Sequence, residues 1–330
     1  MFFQRMQIAV ALACMCLPTG CMPTALKITA IPASRALKEL ELERDSGWVT
    51  DKIALIEVDG VITNRHTGGL LSEGEHPVSL LVEKLEAARK DNQVKAVVLR
   101  INSPGGSVTA SEIMHAEIMR FRKTGKPVVA IMMDVAASGG YYIACACDEI
   151  IAYPTTVTGS IGVIMQMINF SGSLAKLGIS TDAITSGPNK DAGSPLRTMT
   201  ADERALFQAV IDEMFGRFVD AVDEGRPNLT RERILELADG RIYTAKQARE
   251  AGLIDRIGSL RDAFKRAKEL ANVKRARIIT YHRPLAWHPN IYAQVPSPAP
   301  RASTASLINL ELPKWLRPGE AQFMYLWVPY

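Results

Sequence analysis

Residues 127–142 read PVVAIMMDVAASGGYY, and this stretch decides the fold. Residues 127–133 form a continuous apolar run, which is typical of a strand buried on both faces of a sheet. Ser138 follows among small residues, and Tyr141 and Tyr142 begin a helical pattern. The stretch therefore predicts a layered α/β protein with a serine held between a central strand and a helix.

Other apolar strands precede this stretch, at residues 53–58 and 94–101, and each is followed by a helical pattern. Alternation of strands with helices predicts right-handed crossovers and a largely parallel sheet. After Ser138, a strand is predicted at residues 149–153. Longer helices are predicted at residues 201–223, 231–237 and 260–271.

The 330 residues divide into four segments by composition. Residues 1–21 form a leader, residues 22–50 a spacer whose pattern at residues 36–43 predicts a helix, and residues 51–272 the α/β body. Residues 273–330 form a proline-rich C-terminal extension. Its last eight residues, FMYLWVPY, are apolar and aromatic, and we expect them to dock as a strand on their own subunit or on a neighbour.

The leader has the pattern of a secretory signal. Arg5 precedes about a dozen mostly apolar residues, too few to cross a bilayer. The sequence LPTGC at residues 17–21 resembles a bacterial lipobox, although Pro18 stands where its leucine is usual. We predict lipidation of Cys21; a plain cleaved signal and an uncleaved anchor are the alternatives. All three place the remaining chain outside the cytoplasm.

Composition excludes several classes of function. A net charge of +4 with 22% charged residues does not indicate a nucleic-acid binder. Neither a CxxC spacing nor the phosphate-binding patterns GxxxxGK[ST] and GxGxxG occur in the relevant turns, so no metal or cofactor is predicted. Cys145 and Cys147 are interpreted as small buried side chains.

Ser138 needs a base, because a serine hydroxyl is a weak nucleophile until its proton is removed. Of the five histidines, His115 could reach it in the fold, but its polar helical surroundings predict an exposed side chain. Lys190 lies in the loop SGPNKDAGS at residues 186–194 and is the better candidate. A lysine amine acts as a base only when neutral, and burial favours the neutral form. Ser160 could accept a hydrogen bond from this amine and orient it.

Residues 100–108, RINSPGGSV, join a strand to a helix. Gly105 and Gly106 allow backbone N–H groups to turn toward a ligand and stabilise the negative oxygen of a tetrahedral intermediate. A tight turn that uses glycine only for its positive φ is the alternative. Ser138 itself is not in a GxSxG elbow, because Ala136 replaces the first glycine.

Five motifs occur in a characteristic order. They are NSPGG (102–106), ASGGYY (137–142), TGSIGV (158–163), SGPNKD (186–191) and GRIYTA (240–245), the last followed by Gln247-Ala248 and GLID (252–255). With its motifs in this order, the chain resembles the bacterial signal peptide peptidases of the SppA (protease IV) family. It resembles their short form, which has one catalytic unit. The resemblance implies a ClpP/crotonase-type α/β fold of repeated ββα units, with largely parallel sheets and flanking helices.

The resemblance also implies roles for individual residues. Ser138 would be the nucleophile, Lys190 the general base and Ser160 the residue that positions the lysine. Gly105 and Gly106, with the Gly139 N–H, would bind the oxyanion. The family implies ring-shaped homo-oligomers with an apolar groove, whose substrates are signal-peptide remnants and other extended, membrane-associated polypeptides.

The leading hypothesis is a Ser–Lys endopeptidase that forms an acyl-enzyme through Ser138. It would be attached to a bacterial membrane by its N-terminus, on the extracytoplasmic side. One alternative is a crotonase-type acyl-CoA enzyme, against which the secretory leader argues because acyl-CoA is cytoplasmic. Another is a non-catalytic oligomeric scaffold on the same fold.

Overall fold

The structure is a computed structural model that describes residues 36–65, 76–283 and 323–327. The predicted leader with Cys21 and most of the proline-rich segment lie outside the described residues. Among those that are described, no helix combines the length and the apolar character needed to cross a membrane.

The described residues contain twelve strands and eight helices. The strands are β1 (Lys38–Arg44), β2 (Lys52–Asp59), β3 (Val94–Ser103), β4 (Gly105–Ser107), β5 (Val128–Ala137), β6 (Glu149–Ala152), β7 (Val157–Gly159), β8 (Ile164–Met165), β9 (Ile242–Thr244), β10 (Arg256–Ile257), β11 (Arg277–His282) and β12 (Phe323–Leu326). The helices are α1 (Pro77–Lys90), α2 (Val108–Arg122), α3 (Gly139–Ala144), α4 (Ser171–Lys176), α5 (Ala201–Gly225), α6 (Arg231–Leu237), α7 (Ala245–Glu250) and α8 (Leu260–Leu270).

A nine-stranded sheet forms the centre, in the order β1-β11-β2-β3-β5-β6-β10, with β7 beside β5 and β9 beside β7. Strands β2, β3, β5 and β6 are mutually parallel, and β11 is parallel to β2. This confirms the predicted α/β class with a largely parallel sheet and flanking helices. The carboxyl ends of β3 and β5 lie at the same edge of the sheet, where Ser138 follows β5.

The central strands pack into apolar layers on both faces of the sheet, because successive side chains of a strand point to opposite sides. On β2, Ala54 and Ile56 belong to the larger layer, which helices α1, α2, α3 and α5 complete. Ile53 and Leu55 belong to the smaller layer, which α8 covers. Burial on both faces explains why these strands read as continuous apolar runs.

A second, three-stranded sheet has the order β4-β12-β8, and β12 is antiparallel to both of its neighbours. Residues 323–326 thus dock as a strand on their own subunit, which is one of the two arrangements predicted for the C-terminal residues. The helices predicted at residues 201–223, 231–237 and 260–271 are confirmed as α5, α6 and α8. Cys145 and Cys147 are buried free thiols, also as predicted.

The prediction of a helix at residues 36–43 is wrong. Lys38–Arg44 form the edge strand β1, antiparallel to β11. Leu40 and Leu42 alternate with charged residues and are half-buried, which is the pattern of an edge strand rather than of a helix. Strand β11 itself lies in the segment assigned to the C-terminal extension. The central sheet therefore takes one strand from each segment that flanks the predicted body.

An ion pair joins the end of α5 to the sheet. Arg226 donates to both carboxylate oxygens of Asp255, at 2.8 and 2.7 Å, and the Ile150 N–H of β6 donates to Asp255 Oδ2 at 2.7 Å. Burial alone would raise the pKa of Asp255. The hydrogen bonds and charge of Arg226, together with the Ile150 N–H, outweigh burial and hold this pKa below its ordinary value.

We expect Asp255→Ala to lower the free energy of unfolding by about 2 kcal/mol, because the variant leaves the Arg226 charge buried without its partner. The difference from wild type should begin to shrink as the pH falls below about 4, the ordinary pKa of an aspartate, and the contribution of Asp255 is lost as the pH falls through the lowered pKa of the folded carboxylate. Urea unfolding at neutral and acid pH measures both effects. Glu250→Ala, which removes an exposed pair with Lys246 at 4.0 Å, is the control and should cost under about 0.5 kcal/mol. Equal losses for the two variants would contradict the assigned role of Asp255.

Candidate active site

Ser138 lies in a strained turn between β5 and α3. Its φ and ψ are 52° and −116°, a conformation that non-glycine residues rarely adopt. Hydrogen bonds hold it there: the Ser138 N–H donates to the Gly159 carbonyl at 2.7 Å, and the Tyr142 N–H donates to the Ser138 carbonyl at 2.8 Å. Only 1% of Ser138 is exposed. Backbone strain maintained by surrounding structure is typical of a functional residue.

The glycines predicted to bind an oxyanion meet beside this turn. A Cβ placed on Gly105, whose φ is +100°, would lie 2.6 Å from the Gly139 nitrogen. A Cβ placed on Gly139 would lie 3.2 Å from the Gly106 nitrogen. Such contacts exclude a side chain at Gly105 and leave almost no space at Gly139. The turn after β3 and the start of α3 are therefore in direct backbone contact.

The N–H groups of these glycines have different environments. The Gly105 N–H donates to Ser103 Oγ at 3.1 Å, and the Gly105 carbonyl accepts from the Ile62 N–H at 2.9 Å. Because neighbouring residues of a strand present their polar groups to opposite sides, the Gly106 N–H points away from Ile62. Gly106 and Gly139 are thus the candidate oxyanion donors, and Gly105 provides the space for their approach.

Ser160 occupies the equivalent position on the adjacent strand. Strand β7 is parallel to β5 with Ala137 opposite Gly159, so Ser138 and Ser160 leave neighbouring strands at the same end. Ser160 also has a positive φ, of 50°, and is 8% exposed. Its N–H donates to the Arg241 carbonyl at 2.8 Å. The structure therefore brings Ser160 next to the Ser138 turn.

Lys190 does not have the buried environment that the sequence predicts. It is exposed, and its N–H closes a turn on the Gly187 carbonyl at 3.1 Å. The hydrogen bonds of the described residues include none from Lys190 Nζ to Ser138 or Ser160. The expectation of a buried lysine is wrong for the single chain, because no residue of the loop that carries it belongs to either apolar layer of the described residues.

The Lys190 loop is nevertheless held in place. Arg197 donates to both carboxylate oxygens of Asp191, at 2.8 and 2.9 Å, and to Glu203 Oε2 at 3.0 Å. Glu203 also accepts from the Thr200 N–H in the capping box that starts α5. The hydrogen bonds from Arg197 lower the pKa of Asp191. The residue next to Lys190 is thereby tied to the start of a long helix.

The segment that carries Lys190 lies at the surface along its length. Between residues 162 and 200, which we call the arm, no residue is buried. The arm nevertheless contains many large apolar side chains that are more than a third exposed: Ile164, Ile168, Phe170, Leu177, Ile179, Ile184 and Leu196. An exposed apolar surface of this extent is typical of a protein–protein interface.

His115 is buried, and the prediction of an exposed side chain is wrong. Its ring packs edge-on against Tyr142 at 5.1 Å, and its Nε2 has no hydrogen-bond partner among the described residues. Burial lowers the pKa of His115, against the opposing charge of Glu224, so the ring is neutral. Its place behind Tyr142 indicates a packing role rather than that of the base.

Sequence reasoning missed an aromatic cluster next to the serine. Tyr142 packs edge-on against Phe218 of α5 at 5.0 Å and stacks on Tyr325 of β12 at 5.1 Å. The ASGGYY motif draws attention to the serine, and nothing in the local pattern links Tyr142 to residues 76 and 183 positions away. The repeated aromatic residues of the C-terminal tail were the one available signal.

Comparison with known proteins identifies relatives. Residues 120–274 match peptidase family S49, and residues 72–159 match the Clp protease family. A protein of Enterococcus faecium assigned by name to signal peptide peptidase SppA is 37% identical over 237 residues, which cover 72% of this chain and 69% of that protein. Protease 4 of Haemophilus influenzae is 38% identical over 226 residues, which cover 68% of this chain but only 35% of that longer protein. The chloroplastic serine protease SPPA of Arabidopsis thaliana is 35% identical over 252 residues, or 75% of this chain and 37% of that protein.

The glycine contact yields a test of Ser138 reactivity. We expect a fluorophosphonate probe to label Ser138, and Gly105→Ala to slow labelling at least about a hundredfold, because the new methyl group displaces the Gly139 N–H. Intact-mass measurement over time gives the rate, and Ser138→Ala identifies the site. Gly125→Ala is the matched control, since Gly125 has a similar φ of +82° but open space around it. Equal labelling of the two glycine variants would refute the steric argument.

Proposed function

The chain belongs to peptidase family S49 and is a serine peptidase related to SppA; from this premise we propose that Ser138 is the nucleophile and Lys190 the general base of an endopeptidase. The observation that carries the proposal is the Ser138 turn. A serine held at positive φ, beside the N–H groups of Gly106 and Gly139, has the arrangement that acyl transfer needs.

The proposed reaction has two stages. Neutral Lys190 takes the Ser138 proton while Oγ attacks the scissile carbonyl, and the N–H groups of Gly106 and Gly139 donate to the resulting oxyanion. The lysine then protonates the leaving amine, which leaves an acyl-enzyme on Ser138. Water hydrolyses this ester with Lys190 again as base. Ser160 accepts a hydrogen bond from the lysine and fixes its direction.

We propose that assembly supplies the environment that Lys190 lacks in the single chain. The amine must lose water contacts to be neutral, and the exposed apolar arm must be covered. A ring of identical subunits satisfies both requirements, because the arm of one subunit then packs against its neighbour. Lys190 would serve the serine of its own subunit or that of the adjacent one, and mixed variants distinguish the two.

The proposed substrates are extended apolar peptides, including remnants of signal peptides. The position of strand β12 supports this substrate class. An extended segment pairs there with β4 on one edge and with β8 on the other, and β4 carries the candidate oxyanion donor Gly106. The names of the SppA relatives point to the same substrate class. We further propose attachment to the extracytoplasmic side of a bacterial membrane through the leader, with lipidation at Cys21.

Digestion of a synthetic apolar signal peptide tests the dyad. We expect Ser138→Ala and Lys190→Ala each to lower kcat/KM at least about a thousandfold, since either change removes the proton transfer that activates the nucleophile. Lys176→Ala, another lysine of the arm, is the matched control and should retain activity. Mixing inactive Ser138→Ala and Lys190→Ala subunits restores activity only if the lysine acts on a neighbour's serine.

Other outcomes separate the alternatives. Activity of Lys190→Ala equal to wild type would refute the lysine as base. Failure of the assembled wild type to cleave any peptide, with turnover of an acyl-CoA thioester, would favour the crotonase-type enzyme. Failure on both substrates would favour the scaffold.

A charged substitution tests the role of the arm in assembly. Ile184 is fully exposed in the single chain, and we expect Ile184→Asp to weaken assembly at least about tenfold, with parallel loss of activity, because burying an unpaired carboxylate is unfavourable. Sedimentation velocity over a concentration series gives the assembly state. Leu235→Asp is the control, because Leu235 is exposed on α6, outside the arm. An Ile184→Asp protein that assembles normally would show that this part of the arm is not the interface.

A further inference from the structure

Strand β5 contains a bulge shortly before the candidate nucleophile. Met132 of β5 lies opposite Ile101 of β3. The next pair along the two strands is Ala136 opposite Ser103. Three residues of β5, numbered 133–135, therefore lie opposite a single residue of β3, and we call these three residues the β5 bulge. Extra residues of this kind occur often beside active sites, where they redirect the side chains that follow.

The bulge is also the place where β5 changes its neighbour. Up to Met132 the strand pairs with β6, and from Val135 onward it pairs with β7. This second pairing extends to the nucleophile, because the Ser138 N–H donates to the Gly159 carbonyl at 2.7 Å. The register of β5 on β7 therefore determines where Ser138 lies, and the number of residues held in the bulge determines that register.

Two side chains supply hydrogen bonds to the backbone of the bulge. On one flank, the buried Thr156 hydroxyl donates to the Met133 carbonyl at 2.5 Å and lies 3.0 Å from the Met132 carbonyl oxygen. On the other flank, the Val135 N–H donates to Asn102 Oδ1 at 3.2 Å. Because backbone polar groups removed from water need partners, these two side chains stabilise the bulge in this conformation.

We propose that Thr156 and Asn102 are positioning residues for Ser138, which act together as a clamp that keeps three residues in the β5 bulge. The inference rests on the proposed function, because it assigns the clamp a role in the reactivity of the nucleophile. Both residues act through the backbone of β5, and the proposed reaction gives neither of them a proton to transfer.

The clamp matters because a strand alternates its two faces. If β5 moved by one residue relative to β7, the Ser138 side chain would exchange faces and leave the N–H groups of Gly106 and Gly139. A smaller displacement is also costly, since a misplacement of about 1 Å can slow a reaction about a hundredfold. We therefore expect loss of either hydrogen bond to reduce the reactivity of Ser138 more than it reduces stability.

Two pairs of variants separate the hydrogen bonds from the shapes of the side chains. Thr156→Val keeps the shape and removes the hydroxyl, whereas Thr156→Ser keeps the hydroxyl. Asn102→Leu removes the acceptor, whereas Asn102→Asp keeps an acceptor oxygen. In the assembled full-length protein, we expect Thr156→Val and Asn102→Leu each to slow fluorophosphonate labelling of Ser138 at least about tenfold. Thr156→Ser and Asn102→Asp should label within about threefold of the wild-type rate.

Thr280→Val is the matched control. The Thr280 hydroxyl donates to the Leu55 carbonyl at 3.0 Å, and Thr280 and Thr156 are each 1% exposed, but Thr280 lies on β11. Urea unfolding should show similar losses of stability for Thr156→Val and Thr280→Val, whereas only Thr156→Val should label slowly. Equal labelling rates for these two variants would overturn the positioning role of Thr156.

Peptide cleavage gives a second measure of positioning. With a synthetic apolar signal peptide, Thr156→Val should lower kcat at least about tenfold while KM stays within about twofold of wild type, because the clamp orients the nucleophile and does not bind the substrate. A variant that raised KM and left kcat unchanged would contradict the proposal.

Hydrogen exchange separates this inference from the function on which it rests. If the wild type neither cleaves peptides nor is labelled, the proposed function fails, and exchange of the fragment covering residues 134–142 decides the clamp. Exchange in this fragment should be at least about tenfold faster in Thr156→Val than in wild type or Thr280→Val. Equal exchange in all three proteins would overturn the clamp. If Thr156→Val fails to fold, the Asn102 variants decide: equal labelling and equal exchange for Asn102→Leu and Asn102→Asp would overturn it.

Discussion

The backbone at Gly105 touches the backbone at Gly139, with no space for a side chain between them. This contact depends on the sheet, because β3 and β5 are adjacent and parallel and their carboxyl ends lie at one edge. The register shifts where the strands end, so that Ser103 comes opposite Ala136 after Ile101 has been opposite Met132. An irregularity of this kind bends the strand that carries the extra residues, which here is β5. The candidate oxyanion donors are thus positioned by sheet geometry rather than by a flexible loop.

The strain at Ser138 is maintained by the same sheet. Strand β7 pairs with the end of β5, and the Thr158 hydroxyl donates to the Ala136 carbonyl at 2.6 Å, so the residues before the serine cannot relax. Thr156 adds hydrogen bonds to the Met132 and Met133 carbonyls, at 3.0 and 2.5 Å, where β5 deviates from regular pairing. Well-packed, hydrogen-bonded strands provide enough free energy to hold two serines at positive φ, which isolated turns could not do.

Features that depend on local sequence pattern could be predicted from the sequence. Features that depend on contacts between distant segments could not. Central strands and long helices could be recognised from their apolar periodicity, and the glycine turns from composition. The strand at Lys38–Arg44 could have been recognised from the alternation of Leu40 and Leu42, but its charged residues also suit an exposed helix. The burial of His115 depends on Tyr142 and on α5, far away in the chain. The exposure of Lys190 could not be predicted from its loop. A sequence motif indicates which residue types are present, but it does not indicate which other parts of the protein pack over them.

The candidate nucleophile and the proposed base are held by different parts of the chain, and β12 contacts both parts. Ser138 and the glycines belong to the packed sheet, whereas Lys190 belongs to the arm, which has no buried residue of its own. Among the described strands, β12 bonds to β4 of the body on one edge and to β8 of the arm on the other. An extended peptide in this place would therefore contact both the sheet and the arm. Its two hydrogen-bonded edges would fix the start of the arm relative to the sheet, so under the proposed function peptide binding and the positioning of Lys190 are coupled through one backbone ladder.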